Sequence, residues 1–358
     1  MSLKQLDILN VRNISKASLF PSSSINFIYG KNASGKSSIL EAIYLLGRAR
    51  SFRSTSIKKV IRLGSDELIV TGKAIQKHGN ILNLGVLLDG KRTVMRINKE
   101  ICKSRSDIAY SFPLQIIHPK SYLLLDAGPQ LRREYIDWGI FNLREEYLPV
   151  WRRFKKALGQ RNSLLRNQQI NQISVWDQEL SKYGTIVADY RKNYIDKLKP
   201  LFLNVVNHFL DFNTIDLKIS SGWDDTFSFH QVLKEQIERD LKYGYTRYGP
   251  HYCDLQVLMN DKLVKDYVSR GQLKLLVIAL KLAQIKLLHV NSSKMGCVLI
   301  DDLSSELDNA NKAKLINFLL SMNVQIFITA TEIDNFGHID DLADYKMFHV
   351  EHGNITQV

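Results

Sequence analysis

Residues 30–37 read Gly30-Lys31-Asn32-Ala33-Ser34-Gly35-Lys36-Ser37, and this stretch decides the fold. It matches the G-x-x-x-x-G-K-[ST] pattern of a phosphate-binding loop. An apolar strand is predicted immediately before it, over residues 25–29, and an amphipathic helix after it, from Ser37 to Leu46. The glycines let the loop turn its backbone N–H groups toward phosphate oxygens, and the helix N-terminus adds a partial positive charge. The sequence therefore predicts an α/β domain that binds a nucleoside triphosphate.

The residues of this loop have separate expected roles. Lys36 would reach the β- and γ-phosphates and assist catalysis, whereas the hydroxyl of Ser37 would be a ligand of Mg²⁺. The other residues expected to contact the nucleotide are the rest of the loop and the serine that follows it, namely Gly30, Lys31, Asn32, Ala33, Ser34, Gly35 and Ser38. The predicted cofactors are therefore ATP and Mg²⁺.

A second element, far along the chain, complements the loop. Residues 297–300 are predicted to form an apolar strand that ends in Asp301 and Asp302. Asp301 would hold Mg²⁺, and Asp302 would orient or deprotonate the attacking water. Because apolar strands that end in acidic residues are common, this pattern carries weight only beside the loop. Lys36 and Asp301 must then share one nucleotide, which predicts that the two strands lie in one sheet.

A third element is Ser269-Arg270-Gly271-Gln272, at the start of a predicted buried helix. Ser269 is a favourable N-cap, and capping alone would explain its presence. The four residues also resemble the S-G-G-Q signature of ABC-type ATPases, and residues 304–308, which end in Asp308, resemble the D-loop of that family. In these ATPases the signature of one subunit meets the γ-phosphate held by another. The resemblance therefore implies an ATP-dependent homodimer in which both elements contact the nucleotide.

Two further positions follow from the same resemblance. Gln115, just before residues 116–119, resembles the Q-loop glutamine, which implies that it senses the γ-phosphate and contacts Mg²⁺. A polar residue at this point would also have a purely structural explanation. The switch position that is histidine in many ABC proteins falls within residues 328–331, where Thr329 or Thr331 could take its place.

Longer stretches narrow the resemblance to one family. They extend from the first strand to about residue 332, and the most distinctive are residues 40–53, 118–141, 246–255, 269–274 and 299–308. They resemble the RecF family of bacterial recombination and gap-repair ATPases, which are relatives of SMC proteins. The resemblance implies an ATP-gated clamp with weak, DNA-stimulated ATPase activity that holds duplex DNA beside a single-strand gap and releases it after slow hydrolysis. It also implies RecR as a partner, with RecO and RecA in the same pathway.

The chain departs from this family at residues 249–254. The family commonly shows Gly-Pro-His-Arg-Asp, whereas this chain has Tyr252 and Cys253 between His251 and Asp254. The contact made by the family's arginine is therefore not carried over to this position.

The charge of the chain fits a nucleic-acid partner. It has 358 residues and a formal net charge of +13, and basic chains often meet nucleic acid, although solubility alone would also explain the charge. Candidate nucleotide or DNA contacts, each of which could instead be an ordinary solvated charge, are Arg48, Arg50, Arg53, Arg132 and Arg133. An ABC-type ATPase coupled to a non-DNA partner is the alternative function. An ATPase–nuclease that cuts DNA with Asp301 and Asp302 ranks last, because no residues remain for a separate nuclease domain.

The remaining composition excludes other classes of protein. The three cysteines are far apart and form no C-x-x-C pair, which excludes a zinc ribbon and fits a reducing compartment. No apolar run of about 18 residues is present, and the N-terminus lacks the apolar region of a signal peptide. We therefore expect a soluble, cytoplasmic protein with no membrane partner.

The predicted fold class is α/β, an ABC-type P-loop ATPase head with an antiparallel β-subdomain and an inserted helical lobe. Alternating apolar and polar residues over 57–101 predict an antiparallel meander, and residues 130–207 predict a helical hairpin with its turn near 168–174. The expected domains are the N-terminal part of the ATPase lobe with the loop and meander (1–118), the helical lobe (119–242) and the C-terminal part of the ATPase with the signature and paired acids (243–358).

Overall fold

Two units make up the chain in the computed structural model, which describes residues 1–76, 78–212, 214–291, 296–302, 307–336 and 344–358. Unit 1 contains residues 1–121 and 280–358, and unit 2 contains residues 122–279. The first division lies close to the predicted boundary at 118. Residues 243–279, in contrast, were assigned from the sequence to the ATPase, and the structure places them in unit 2.

The strands are β1 Ser2–Val11, β2 Ile14–Leu19, β3 Ile25–Tyr29, β4 Leu68–Ile75, β5 Ile81–Leu88, β6 Thr93–Ile97, β7 Glu100–Ile101, β8 Leu114–Ile117, β9 Ile215–Ser220, β10 Asp254–Met259, β11 Lys262–Leu263, β12 Cys297–Ile300, β13 Gln325–Ala330, β14 Tyr345–Glu351 and β15 Asn354–Gln357. The α-helices are α1 Lys36–Arg48, α2 Arg105–Ser111, α3 Leu123–Asp126, α4 Pro129–Leu143, α5 Tyr147–Arg166, α6 Ile173–Phe209, α7 Phe229–Glu235, α8 Ile237–Tyr243, α9 Arg270–Asn291 and α10 Asn309–Ser321.

A six-stranded sheet forms the centre of unit 1, with the strand order β15-β14-β3-β13-β12-β8. Five of these strands, from β14 to β8, are parallel to their neighbours, and β15 closes an antiparallel hairpin at the edge. The strands β12 and β13 are buried along their whole length, as expected for a parallel sheet covered on both faces. The predicted neighbourhood of the loop strand β3 and the acidic strand β12 is confirmed, since β13 alone separates them.

A second, antiparallel sheet in unit 1 has the order β2-β1-β4-β5-β6-β7, which confirms the predicted meander. Helix α1 packs against β1, β4 and β5 of this sheet and also against β13 of the parallel sheet. Gly72 allows the close approach, because a Cβ there would lie 2.6 Å from a methyl carbon of Leu46. The helix that follows the loop is therefore held between two sheets.

Unit 2 is mainly helical, and α5 and α6 form the predicted hairpin. Its turn lies between Arg166 and Ile173, close to the predicted one. A three-stranded antiparallel sheet, ordered β11-β10-β9, completes the unit. Strand β10 comes from the segment 243–279 and pairs along its whole length with β9. This pairing explains why that segment belongs to unit 2. No described helix is both long and apolar enough to cross a bilayer.

A buried ion network holds the interior of unit 2 together. The guanidinium of Arg161, which is fully buried, donates from Nε to Asp177 at 2.5 Å and from an Nη to Asp240 at 2.6 Å. The same Nη also donates to the Thr246 hydroxyl at 2.8 Å. Burial raises the pKa of Asp240, an effect that Arg161 opposes. Each charge in this network therefore depends on the others for the solvation that water would otherwise supply.

Replacing Arg161 by methionine should lower the free energy of unfolding of unit 2 by about 3–5 kcal/mol, because two buried carboxylates would lose their cation. Urea unfolding followed by tryptophan fluorescence measures this directly, since Trp138, Trp151, Trp176 and Trp223 all lie in unit 2. Lys156→Met, an exposed change on the same helix, is the control and should cost less than about 0.5 kcal/mol. Equal midpoints for the two variants would show that the network is not needed for stability.

Candidate nucleotide-binding site

The loop between β3 and α1 has a backbone that only certain residues allow. Gly30 has a φ of 148°, and a Cβ there would lie 2.2 Å from the carbonyl oxygen of Val350. Gly35 has a φ of 123°, and Ala33 is also left-handed, with a φ of 63°. Such conformations cost free energy outside glycine and are found where a backbone must bend around a ligand. The loop therefore has the local geometry that the phosphate-binding pattern predicts.

Lys36 crosses the inside of this loop. Its Nζ donates hydrogen bonds to the carbonyl oxygens of Gly30 at 2.6 Å and Lys31 at 2.9 Å. Burial lowers the pKa of Lys36, while the nearby carboxylates of Asp302 and Asp301 raise it. The ammonium group thus lies between the loop and the two acidic residues.

Ser37 and Asp301 meet although 264 positions separate them in the sequence. The Ser37 hydroxyl donates to Oδ1 of Asp301 at 2.8 Å, and the Thr329 hydroxyl donates to the same oxygen at 2.9 Å. Burial raises the pKa of Asp301, and the hydrogen bonds from Ser37 and Thr329 oppose this effect. A serine hydroxyl next to a carboxylate is the kind of oxygen pair that Mg²⁺ accepts beside a triphosphate. These residues fit the predicted metal.

Thr329 connects the two acidic residues. It is fully buried in β13, and its hydroxyl accepts a hydrogen bond from the backbone N–H of Asp302 at 2.8 Å while it donates to Asp301. Asp302 has a φ of 54°, a left-handed conformation that is uncommon outside glycine. The contact with Thr329 therefore fixes the backbone at the end of β12. The Asp302 side chain lines the same cavity as the loop.

A cavity of about 310 Å³ surrounds these groups. Its lining residues are Arg12, Asn13, Asn32, Ala33, Ser34, Gly35, Lys36, Ser37, Ser38, Arg53, Asp301, Asp302 and Thr329. The hydroxyl oxygen of Ser34 is buried and has no hydrogen-bond partner among the described residues. A buried hydroxyl without a partner costs free energy, and a phosphate oxygen in the cavity would supply one. The cavity therefore fits a triphosphate as well as the metal.

Two residues of this cavity were not identified from the sequence. Asn13 donates to the Ser34 carbonyl oxygen at 2.8 Å and accepts from the Ser38 hydroxyl at 2.9 Å, so it braces both ends of the loop turn. Arg12 forms a two-bond ion pair with the buried Glu41 of α1, at 2.8 and 2.9 Å. Both precede the loop by many residues and match no motif. The only local signal is the polar turn between β1 and β2 on which they lie.

Gln115 does not join this group of residues, contrary to the sequence-based prediction. It lies inside β8, where it is opposite Val298, three residues before Asp301. Its side-chain amide is buried and donates to Gln284 at 2.7 Å. The strand register, which the sequence does not reveal, thus places Gln115 in the core of the parallel sheet. His118 is the residue that follows β8 beside Asp301.

The signature residues lie at the start of α9, in unit 2. The Ser269 hydroxyl accepts from the backbone N–H of Gln272 at 3.2 Å, and the Gln272 side chain accepts from the backbone N–H of Ser269 at 2.9 Å. This reciprocal capping satisfies the end of the helix. Ser269, Arg270 and Gly271 are exposed. Ser269 therefore does cap α9, and the exposed start of this helix is accessible to another molecule.

The D-loop resemblance falls mostly outside the described residues, since residues 304–306 are among those not described. Asp308 is described and caps α10, accepting from the backbone N–H of Asn311 at 2.8 Å. That backbone hydrogen bond, followed by one from the Asn311 side chain, lowers the pKa of Asp308.

Two of the candidate basic contacts are engaged inside the protein. Arg132 is buried in unit 2 and forms a two-bond ion pair with Asp254, at 2.6 and 3.1 Å. Arg48 is largely shielded from solvent, and burial lowers its pKa to about 10. Arg53, in contrast, is exposed and lines the cavity. The contacts of Arg132 are therefore structural, whereas Arg53 remains a candidate contact to the nucleotide.

The chain is similar to known proteins along its whole length. The family described as RecF/RecN/SMC N terminal domain matches residues 2–356. The DNA replication and repair protein RecF of Shewanella woodyi is 41% identical, covering all of this chain and 98% of the relative, and that of Azotobacter vinelandii is 39% identical, covering all of this chain and 99% of the relative. These values alone establish membership of a family rather than mere likeness of fold.

Similar solved structures agree with this family membership. A structure described as the recombination mediator protein RecF-ATP in the RecFOR pathway has a TM-score of 0.87 and 27% identity, over 99% of this chain and 97% of that one. An Smc head domain from Pyrococcus furiosus, at 14% identity and a TM-score of 0.61 over 100% of this chain and 96% of that one, shares the fold alone. The predicted α/β ATPase-head fold is confirmed, and the chain belongs to the RecF family of DNA replication and repair proteins.

Proposed function

We propose that this chain is an ATP-dependent DNA-binding ATPase of recombinational repair, in which MgATP drives head-to-head dimerisation on duplex DNA near single-strand gaps. The observation that carries the proposal is the meeting of Ser37, Asp301 and Thr329 around one carboxylate oxygen beside the phosphate-binding loop. Membership of the RecF family and the structural match to a RecF–ATP complex support ATP as the nucleotide.

Each residue of the site has a role that follows from its position. The loop backbone and Lys36 hold the β- and γ-phosphates, and Ser37 and Asp301 hold Mg²⁺, which supplies positive charge next to the transferred phosphoryl group. Asp302 orients or deprotonates the attacking water, since it lines the cavity and its carboxylate is near Lys36. Asn13 and Thr329 position the loop and the acids without contacting the reacting atoms.

A second copy of the chain completes the site in this proposal. Gly271 supports this, because a Cβ there would meet only the Ser269 hydroxyl oxygen at 3.9 Å, so unit 2 itself does not require glycine. Glycine is also a poorer helix former than alanine. Close approach of a phosphate held by a partner copy to the exposed residues 269–271 would account for that glycine. Asp308 lies in the same kind of position, at an exposed helix start.

The DNA partner is supported by the net charge of +13 and by the family. Slow, weak, DNA-stimulated hydrolysis would then release the clamp, and RecR, with RecO, would use the bound protein to load RecA in the cytoplasm. The alternative is an ABC-type ATPase coupled to a non-DNA partner. DNA affinity that falls steeply with salt distinguishes the two, because each phosphate contact releases counterions.

Lys36→Ala should abolish ATP-dependent retention of DNA, because it removes the charge that faces the β- and γ-phosphates. Retention of a gapped duplex after a salt wash, with and without MgATP, is the measurement. Lys58→Ala, an exposed change in unit 1, is the control and should retain DNA like the parent. Full retention by the Lys36 variant would contradict the clamp mechanism.

MgATP should double the solution mass from that of one 41.2 kDa chain, and Ser269→Arg should prevent the doubling because it blocks the exposed start of α9. Multi-angle light scattering measures both. Ser228→Arg is a matched control, since Ser228 also caps a helix of unit 2 through an N–H contact of 3.2 Å. If both variants fail to dimerise, loss of a helix cap rather than loss of the interface explains the result.

Thr329→Val should lower the rate of ATP hydrolysis by about 10- to 100-fold, as is typical when a residue that orients a metal ligand is lost. Valine keeps the shape but leaves the Asp302 N–H and the Asp301 carboxylate without the shared hydroxyl. Phosphate release as a function of Mg²⁺ concentration is the assay. Thr329→Ser retains the hydroxyl and should stay within a few-fold of the parent. Equal rates for the two variants would assign Thr329 to packing alone.

A further inference from the structure

Unit 2 displays an unusual concentration of exposed tyrosines between α8 and β10. All fifteen tyrosines of the chain lie in the described ranges, and four of them are exposed. Three of these four fall within ten residues, namely Tyr243, Tyr245 and Tyr252, with exposed fractions of 54%, 41% and 46%. Aromatic rings left in water at such density mark a binding surface rather than a random surface composition. We call the group formed by these three residues and Arg247 the tyrosine face.

The members of the tyrosine face lie close together. The rings of Tyr243 and Tyr245 have centroids 6.2 Å apart and are tilted by 54°, so they do not stack on each other. The pKa of Tyr252 is raised, first by burial of its hydroxyl and then by the neighbouring Tyr245. Neither the Tyr243 ring nor the Tyr245 ring therefore covers the face of the other.

The backbone that carries these rings is rigid. Thr246, between Tyr245 and Arg247, is buried, donates its N–H to the side chain of Asn162 at 2.8 Å and accepts from Arg161. The carbonyl oxygen of Thr246 accepts from Nε2 of His251 at 2.9 Å. One oxygen of Asp240 pairs with Arg161, and the other accepts from the backbone N–H of Arg247 at 3.2 Å. Anchored residues thus alternate with residues that face outward, and the anchored residues hold the rings in a fixed arrangement.

Positive charge accompanies the rings. The guanidinium carbon of Arg247 lies 4.7 Å from the centroid of Tyr243, within cation–π range. Arg166 packs against Gly244, where its Cγ would lie 3.2 Å from an added Cβ, and Lys242 is exposed next to Tyr243. The acidic residues nearest in sequence are Asp240, three residues before Tyr243, and Asp254, two residues after Tyr252. Both are already paired, Asp240 with Arg161 and Asp254 with Arg132. The ligand that suits this surface is flat, aromatic and anionic.

We propose that the tyrosine face binds single-stranded DNA, with unpaired bases stacked on its rings and phosphates beside its cations. This rests on the proposed function in so far as DNA is the partner, and it goes beyond it by naming a separate surface and a strand state. Duplex DNA does not offer base faces, whereas every unpaired base does, so stacking selects single strands without selecting sequence. An apolar protein partner would fit the rings but would leave the three cations unused.

Fluorescence anisotropy of a labelled thymidine oligonucleotide of about 20 residues tests the proposal, with the full-length protein in the presence of MgATP. Tyr245→Ala and Tyr252→Ala should each weaken binding by about 5- to 150-fold, the range found for loss of one base–aromatic stack. The slope of affinity against salt should stay unchanged, because no cation is removed. Arg247→Gln should lower that slope. Tyr245→Phe keeps a ring and should bind like the parent.

The controls separate this proposal from the proposed function. Phe20→Ala removes an exposed aromatic ring from unit 1 and should not change oligonucleotide binding. The tyrosine variants should unfold at the parent's temperature and retain ATP-dependent binding of a blunt duplex. If the parent retains duplex and the tyrosine variants bind the oligonucleotide as tightly as the parent, the tyrosine face does not bind nucleic acid and a protein partner takes its place. If the parent binds neither DNA, the proposed function itself fails.

Discussion

The carboxylate oxygen Oδ1 of Asp301 is the point on which the nucleotide site of unit 1 depends. It accepts hydrogen bonds from Ser37, at the start of α1, and from Thr329, near the end of β13, and so joins three segments that are far apart in the sequence. Only a parallel sheet in the order β3-β13-β12 brings the carboxyl ends of these strands to one edge. The sheet order is therefore a requirement of the chemistry as well as a result of apolar burial.

The same site contains several features that are locally unfavourable. Ala33 and Asp302 are left-handed, Lys36 and Asp301 are largely buried, and a Ser34 hydroxyl lacks a described partner. Each feature costs free energy in isolation, and each is offset by neighbours that hold it in place, such as Asn13 on the loop and Thr329 on the acids. A nucleotide and its metal would satisfy several of these groups at once.

Whether the role of a residue could be predicted depends on how far apart in the sequence the residues that determine it lie. The loop, the strand that ends in Asp301 and the cap at Ser269 are local patterns, and the sequence is sufficient for them. The position of Gln115 could not be predicted, because it depends on the register of β8 against β12. That register places Gln115 opposite Val298, three residues before Asp301, so its amide lies in the core rather than at the strand end. The bracing by Asn13 and the transfer of 243–279 to unit 2 depend on contacts across the fold, which no local pattern encodes.

Contacts between residues far apart in the sequence also determine local structure in unit 2. A buried ion network such as that of Arg161 contributes little net stability compared with apolar packing, since desolvation of the charges opposes their attraction. Its geometric effect is larger, because Asp240 and Thr246 connect it directly to the backbone between Tyr245 and Arg247. A surface loop held in this way loses little conformational entropy when a ligand binds. The buried charges of unit 2 are therefore best understood as the support for an outward-facing surface, just as Thr329 in unit 1 is the support for the acids.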